Sequence, residues 1–259
     1  MKNKNHRVLS TLALVTLLLS PVAAFAQTAS PLDEAGAAFK ARDWAKASAL
    51  LEPLTGPEGK DAAAFHLLSQ IRLAQKNLKG AAELAEKATT LDPTKAAYFS
   101  QLGAALGQRM SEVSFMQQAM MAGKLKQAFA KAVELDPNDI AGLIGLSRFY
   151  SNAPEIAGGS PAKAKEFALR VQKLDAFLGA VELGNVAEQG ENHAEALGHF
   201  EAAATLKPGN ASLQNSCGRM LVKLGRKEEA RARFEAALKI NPAFEPAKKA
   251  LADLGVSVP

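Results

Sequence analysis

The residues of this chain best suited to metal or acid–base chemistry are His193, Glu195 and His199. Glu195 and His199 are four residues apart, which places them on one face of a helix. A metal site would need further ligands from elsewhere in the chain, and the six-residue spacing of the two histidines fits a shared helical face poorly. We therefore expect a surface hydrogen-bonded pair between Glu195 and His199, and no metal site.

No other segment has the spacing of a catalytic or cofactor-binding motif. The sequence contains no G-x-S-x-G, no H-E-x-x-H, no Cys-x-x-Cys and no phosphate-binding loop. The single cysteine, Cys217, cannot form an internal disulfide. We expect it to be a small buried apolar residue, with intermolecular pairing as the alternative. The sequence thus predicts no catalytic residues, no cofactor and no enzyme activity.

The elements around these residues follow a repeated pattern that ends in proline. Leu-Asp-Pro ends at Pro93 and again at Pro137, Leu-Lys-Pro ends at Pro208, and Ile-Asn-Pro ends at Pro242. Proline lacks an amide donor and clashes with the preceding turn, so each of these positions predicts the end of a helix. The last two prolines are 34 residues apart, and a fixed period of this length indicates an array of helical repeats.

Two successive units match each other at five positions. In the unit 211–242 the positions eight, twenty, twenty-four, twenty-seven and thirty-two are Gly218, Ala230, Phe234, Ala237 and Pro242; in the unit 177–208 they are Gly184, Ala196, Phe200, Ala203 and Pro208. This pattern resembles the tetratricopeptide repeat, in which small residues recur at positions eight, twenty and twenty-seven. Small residues on facing sides allow two helices to pack closely. Gly190 and Gly225 are expected between the two helices of their units, as left-handed residues.

The resemblance implies an all-α fold, a right-handed superhelix (α-solenoid) of about six helix-turn-helix repeats with two insertions. The expected organisation is a signal peptide at 1–26 and an array at 27–259, with a C-terminal capping helix at 245–254. The approximate repeats are 31–58, 62–93, 96–137, 140–176, 177–208 and 211–242.

The two insertions carry the most unusual local sequence. The first, around 110–121, is expected to lengthen a second helix, and its Phe115 and four methionines are expected to be additional core; an exposed contact patch is the alternative. The second, around 152–161, is expected to be a long loop in which Ser160 caps a helix that begins with Pro161. Its residues Gly158 and Gly159 could instead help to contact an acidic group of a partner.

The N-terminus predicts export. Lys2, Lys4 and Arg7 precede an apolar run, and Ala24-Phe25-Ala26 fits a signal peptidase site, which makes Gln27 the expected mature N-terminus. An uncleaved anchor is the alternative, but the run is short for a membrane span. Removing these three cations lowers the net charge from +5 to about +2. We therefore expect no nucleic-acid partner, no stable membrane insertion after cleavage, and a periplasmic location.

The resemblance also implies a concave groove lined by the first helices of successive repeats. On that basis the expected partner-binding residues are Gln70, Arg148, Asn185, Asn215 and Arg219. The chain departs from the lysine–asparagine set of chaperone-tail-binding members, since Ser100 and Ala104 stand at these positions in the third unit. We accordingly expect no chaperone-tail binding.

The expected function is that of a non-catalytic scaffold that binds a peptide or helix of an envelope protein. A narrower alternative is an assembly factor for a secretion, pilus or outer-membrane complex. A different alternative is a small-ligand binder or enzyme that uses the insertions to close a pocket. The sequence leaves the oligomeric state open.

Overall fold

The computed structural model describes residues 30–255, so the predicted signal peptide and Gln27 lie outside the described residues. Thirteen α-helices and no strand occur between residues 30 and 255. The helices are α1 Pro31–Lys40, α2 Trp44–Leu51, α3 Ala62–Ala74, α4 Leu78–Leu91, α5 Ala96–Arg109, α6 Phe115–Leu135, α7 Ile140–Asn152, α8 Pro161–Leu174, α9 Ala176–Gln189, α10 His193–Leu206, α11 Ala211–Lys223, α12 Lys227–Ile240 and α13 Glu245–Asp253. Short 3-10 turns occupy Glu52–Leu54, Met110–Glu112 and Glu155–Ala157.

Consecutive helices pack as pairs, and neighbouring pairs stack on one another. The first helices α5, α7 and α9 also contact each other in sequence, which produces the arrangement of a solenoid. No helix in the described part of the chain is long and apolar enough to cross a membrane. The all-α superhelix predicted from the repeat pattern is confirmed.

Local sequence sets the helix ends. The helices α4, α6, α10 and α12 each end two residues before one of the four repeated prolines. Asp or Asn side chains cap the start of many helices by accepting a backbone N–H of the first turn; Asp61 does so for α3 and Asn192 for α10. The predicted cap at Ser160 is also present, since its Oγ accepts from the backbone N–H of Lys163 at 3.4 Å.

Close pairing of a glycine with a phenylalanine holds the two helices of several repeats together. A methyl group added at Gly184 would lie 2.6 Å from the ring of Phe200, and one added at Gly218 would lie 2.5 Å from the ring of Phe234. Both rings are buried. Glycine at position eight therefore makes the space that the phenylalanine at position twenty-four fills.

Two repeats exchange this pair for a serine and an alanine. Ser69 and Ser147 occupy position eight, and each is fully buried. The Oγ of Ser69 donates to the carbonyl of Ala81 at 2.8 Å, and that of Ser147 donates to the carbonyl of Ala164 at 3.0 Å. Position twenty-four is then the small Ala85 or, once the insertion around 152–161 is left out of the count, Ala168. The backbone bond and the small residue accommodate a hydroxyl where the other repeats have a ring.

The left-handed residue in the turn between the two helices of a repeat differs from the prediction in one of two cases. Gly225 has a left-handed backbone with a φ of 76°, as expected, but Gly190 has a φ of −82°. The left-handed residue of that repeat is Glu191, with a φ of 57°. It stands 34 residues before Gly225, and the repeat therefore places the left-handed residue one position after Gly190.

The predicted lengthening of α6 occurs, but the expected extra core does not. Phe115, Met116 and Met120 are exposed, whereas Met110 and Met121 pack partly against the core. The inward face of α6 is already occupied by Leu125, Phe129 and neighbouring alanines. At 100° per residue, Met116 and Met120 lie about 180° and about 140° from Leu125, on the opposite face, whereas Phe115 is the first residue of the helix and lies about 80° from Leu125. The expectation of additional core is wrong for these three residues.

Buried apolar residues continue along the array rather than forming one central core. Cys217 is fully buried within the C-terminal cluster, in agreement with the sequence-based expectation. In the same cluster, Ala247 and Leu251 of α13 are buried against the helices before it. Burial raises the pKa of the Cys217 thiol to about 11.

Candidate functional site

The face formed by the first helices of the fourth and fifth repeats contains an ion pair between an exposed arginine and a buried glutamate. Arg148 of α7 donates from Nε to Oε2 of Glu182 in α9 at 3.1 Å, and its Nη2 donates to Oε1. The side chain of Glu182 is 2 % exposed, whereas that of Arg148 is 58 % exposed. A carboxylate this deeply buried needs such a partner, since an unpaired charge there would be strongly destabilising. The pair thus fixes Arg148 across two adjacent repeats.

A cavity of about 340 Å³ opens beside this ion pair. Polar side chains dominate its lining, which consists of Ser147, Arg148, Ser151, Asn152, Glu182, Asn185, Val186, Glu188 and Gln189. Asn185 makes no side-chain hydrogen bond within residues 30–255 and is therefore available to a ligand. An amide side chain can both donate to and accept from the backbone of a bound segment.

The face continues onto α11. Arg219 donates from Nη2 to Oε2 of Glu188 at 3.0 Å, and so links α11 to the wall of the cavity. Asn215 lies one helical turn before Arg219 in α11. Its Oδ1 atom is buried without a hydrogen-bond partner in the described structure. A buried amide oxygen without a partner is costly.

Gln70 lies in a separate cluster toward the N-terminal end of the array. Its Nε2 lies 3.2 Å from Nε2 of His66, and the His66 ring packs against Tyr98 with 4.8 Å between ring centroids. Burial lowers the pKa of His66. The structure therefore brings Arg148 and Asn185 into one cavity, places Asn215 and Arg219 beside it, and leaves Gln70 apart.

The glutamates of the groove were missed in the sequence analysis. Glu182 and Glu188 each pair with an arginine that the sequence analysis had treated as available to bind a partner. A signal for Glu182 is present in the sequence, because it is a lone charge in the apolar stretch AFLGAVELG. The pairing itself joins residues 34 positions apart, which a pattern within one helix does not show.

The loop before α8 borders this site. Asn152, which lines the cavity, is the last residue of α7, and the backbone N–H of Ser160 donates to the carbonyl of Tyr150 at 2.8 Å. Gly158 has a left-handed φ of 87°, and a side chain at Gly159 would collide with the carbonyl of Ala153. Both glycines are therefore required for the tight path of this loop.

The histidine and glutamate of α10 lie on one face as expected, but they do not form the expected hydrogen bond. Nε2 of His199 lies 3.7 Å from Oε1 of Glu195, and Lys165 donates to the same oxygen at 2.8 Å. This bond from Lys165 lowers the pKa of Glu195. Within residues 30–255, no group of three or more His, Cys, Asp or Glu side chains has metal-binding geometry.

Comparison with known protein families identifies the fold. Models described as tetratricopeptide repeat match residues 32–96, 156–211 and 187–254, which together make up more than half of the chain. The chain belongs to the tetratricopeptide repeat family. This family's fold is generally a non-catalytic scaffold for protein interactions, and the face just described is made of the first helices of its repeats.

Solved structures share the fold of this tetratricopeptide repeat protein at low sequence identity. A structure of PilW, described as a widely conserved type IV pilus biogenesis factor, superposes with a TM-score of 0.70 at 16 % identity, over 85 % of this chain and 96 % of PilW. PilF of Pseudomonas aeruginosa gives 0.62 at 15 % identity, over 86 % and 96 %. The Cut9–Hcn1 complex of APC/C gives 0.64 at 16 % identity, over 86 % of this chain and 42 % of that one. No curated protein matches the chain in sequence.

Proposed function

We propose that this protein is an exported, periplasmic scaffold that binds an extended segment or helix of an envelope protein in its concave groove. The observation that carries the proposal is the polar cavity between α7 and α9, where Asn185 is free and Arg148 is held in place by Glu182. The unpartnered Oδ1 of Asn215 extends the same face onto α11. Family membership supports the scaffold role, and the N-terminal sequence supports export.

The charges of the groove favour contacts with a peptide backbone over contacts with a ligand carboxylate. Each of its two arginines already faces a glutamate, so a ligand carboxylate would have to compete with Glu182 or Glu188. Removing Arg148 from Glu182 would leave a buried carboxylate unpaired. The free amides of the groove instead match the alternating donors and acceptors of a peptide backbone.

In-cell crosslinking tests this proposal directly. A photoreactive residue at Asn185 or Arg219 is expected to capture the same envelope protein, and an Asn152→Ala/Gln189→Ala double variant of the cavity wall is expected to lose it. A probe at Thr205, on the exposed side of α10, serves as the control. Capture from Thr205 but not from Asn185 would contradict the groove assignment.

A narrower role in the assembly of an envelope machine is a second proposal. It is favoured by the structural similarity to PilW over nearly the whole of both chains, although 16 % identity establishes a common fold alone. Purification of the captured partner distinguishes the two roles. One stoichiometric complex would support an assembly factor, whereas many weak partners would support a general adaptor.

A further inference from the structure

Four of the six methionines of the chain lie between residues 110 and 121, on α6 and in the turn before it. Met110 and Met121 pack partly against the core, whereas Met116 and Met120 are 72 % and 76 % exposed. A methionine in a helix usually fills a gap in a core, and a side chain that lies mostly in solvent does little of this. The two exposed thioethers therefore need an explanation other than packing.

Met116 and Met120 lie side by side on the outer face of α6. They are four residues apart, so their side chains leave the helix only about 40° apart, with roughly 5–6 Å between the Cβ atoms. Each side chain has three rotatable bonds, which allows both sulfur atoms to turn toward one point above the helix. Gly123 follows on the same face, and a methyl group placed there would meet nothing within 4 Å. The two sulfurs can therefore approach one ion together.

Sulfur is the dominant donor on this face. Between residues 110 and 133 the sequence contains one carboxylate, Glu112, and no histidine or cysteine. The carboxylate of Glu86, which reaches α6 from α4, is bound to Nζ of Lys124 at 2.6 Å. Mg²⁺ and Ca²⁺ require several oxygen ligands, and Zn²⁺ prefers thiolate, imidazole and carboxylate. Thioethers are soft, uncharged donors that select Cu(I), so the donor set favours this ion over the harder ones.

We propose that Met116 and Met120 form a surface site for a soft monovalent metal ion, Cu(I), with the two thioether sulfurs as its protein ligands. A thioether carries no proton, so the ion displaces none when it binds, in contrast to an ion bound by histidine or a thiol. The site lies on α6, a second helix, and the groove is formed by the first helices α7, α9 and α11. Metal binding therefore leaves the groove free for its protein ligand.

Nuclear magnetic resonance of the methionine methyl groups tests the site residue by residue. The first probe is Ag(I), because it shares the charge and softness of Cu(I) and is stable in air. The full chain, labelled with ¹³C at these methyl groups, is titrated with silver nitrate in a chloride-free buffer. We expect the signals of Met116 and Met120 to shift together and to saturate at one Ag(I) per chain. Met220, which is 1 % exposed, should not shift, and Cu(I) under anaerobic conditions should produce the same two shifts.

Removal of one sulfur tests whether the two methionines act as a pair. Met116→Leu keeps the volume of the side chain, and the Met120 signal should then lose most of its shift at one equivalent of Ag(I). The single variants Met116→Leu and Met120→Leu also assign the two signals. The matched control is Met121→Leu, which is next to the pair but packs partly against the core, and it should keep both shifts.

Four results would overturn the proposal. The first is the absence of a shift of Met116 and Met120 with one equivalent of Ag(I) or Cu(I). The second is an undiminished shift of Met120 in Met116→Leu, which would show that each sulfur binds separately. The third is an equal shift with Zn²⁺, which would show that softness does not select the ion. The fourth is loss of the shifts at pH 5.5, which would assign the ion to a histidine.

Discussion

The α-carbon of Gly184 lies so close to Phe200 that a single methyl group placed on it would stand 2.6 Å from the ring. The same relation joins Gly218 to Phe234 in the next repeat. It explains how a 14-residue helix can pack a large ring against its partner without separating the two backbones.

The first prediction concerns this contact. Gly184→Ala is expected to destabilise the protein by about 1–3 kcal/mol, because the ring or the helix must shift to admit the methyl group. The measurement is the midpoint of urea unfolding followed by circular dichroism. The control is Gly198→Ala in α10, where a methyl group meets nothing within 4 Å. It should stabilise by about 0.5–1 kcal/mol through helix propensity, and equal effects of the two variants would contradict the packing argument.

The second prediction concerns the ion pair in the groove. Arg148→Ala should cost about 2 kcal/mol or more, because it leaves the buried carboxylate of Glu182 without its partner. Arg148→Met/Glu182→Leu should recover most of this loss, since no charge is then buried. Arg231→Ala provides the comparison, because its pair with Glu235 is half exposed on both sides and solvent screens it, so its removal should change stability far less than Arg148→Ala. A double variant as unstable as Arg148→Ala would argue against an isolated buried charge as the cause.

The third prediction is a dependence of stability on pH that arises at His66. Burial lowers its pKa from the ordinary 6.5, so the unfolded chain binds this proton more readily than the folded chain. The contribution of His66 to stability is therefore complete above pH 6.5 and is lost as the pH falls below that value. Urea unfolding at pH 7.5 and 5.5 should show a smaller difference in His66→Gln than in the natural sequence. An equal difference in His66→Gln and in the natural sequence would contradict this role of His66.

The fourth prediction concerns the thiol of Cys217. Burial raises its pKa to about 11, from 9.0, which leaves only about one hundredth of the ordinary thiolate at pH 8. A maleimide or disulfide reagent should therefore react with the folded protein more than 100-fold more slowly than with the protein in urea. Rapid modification of the folded chain, or a disulfide-linked dimer under oxidising conditions, would show that the thiol is accessible.

The repeat pattern predicted the fold because helix ends and close helix contacts are set by individual residues at fixed positions. Pro93 and Pro242 each stop a helix because proline lacks an amide donor and clashes with the preceding turn. Gly218 marks the position where the two helices of its repeat approach closely. The placement of Asn185 and Arg148 on the first-helix face followed from the same period. The left-handed residue of the fifth repeat was assigned to the wrong position, since it is Glu191, one residue beyond Gly190.

The sequence alone determined that this chain forms paired helices stacked into an α-solenoid, because helix ends, small-residue contacts and the repeat length are properties of neighbouring residues. Only the tertiary structure decided which charges meet across repeats and which apolar side chains find no cover. Arg148 and Glu182 are brought together by the stacking of α7 on α9, and Met116 and Met120 are left exposed because they lie on the face of α6 opposite Leu125. These outcomes depend on the relative placement of whole helices, which no single segment encodes.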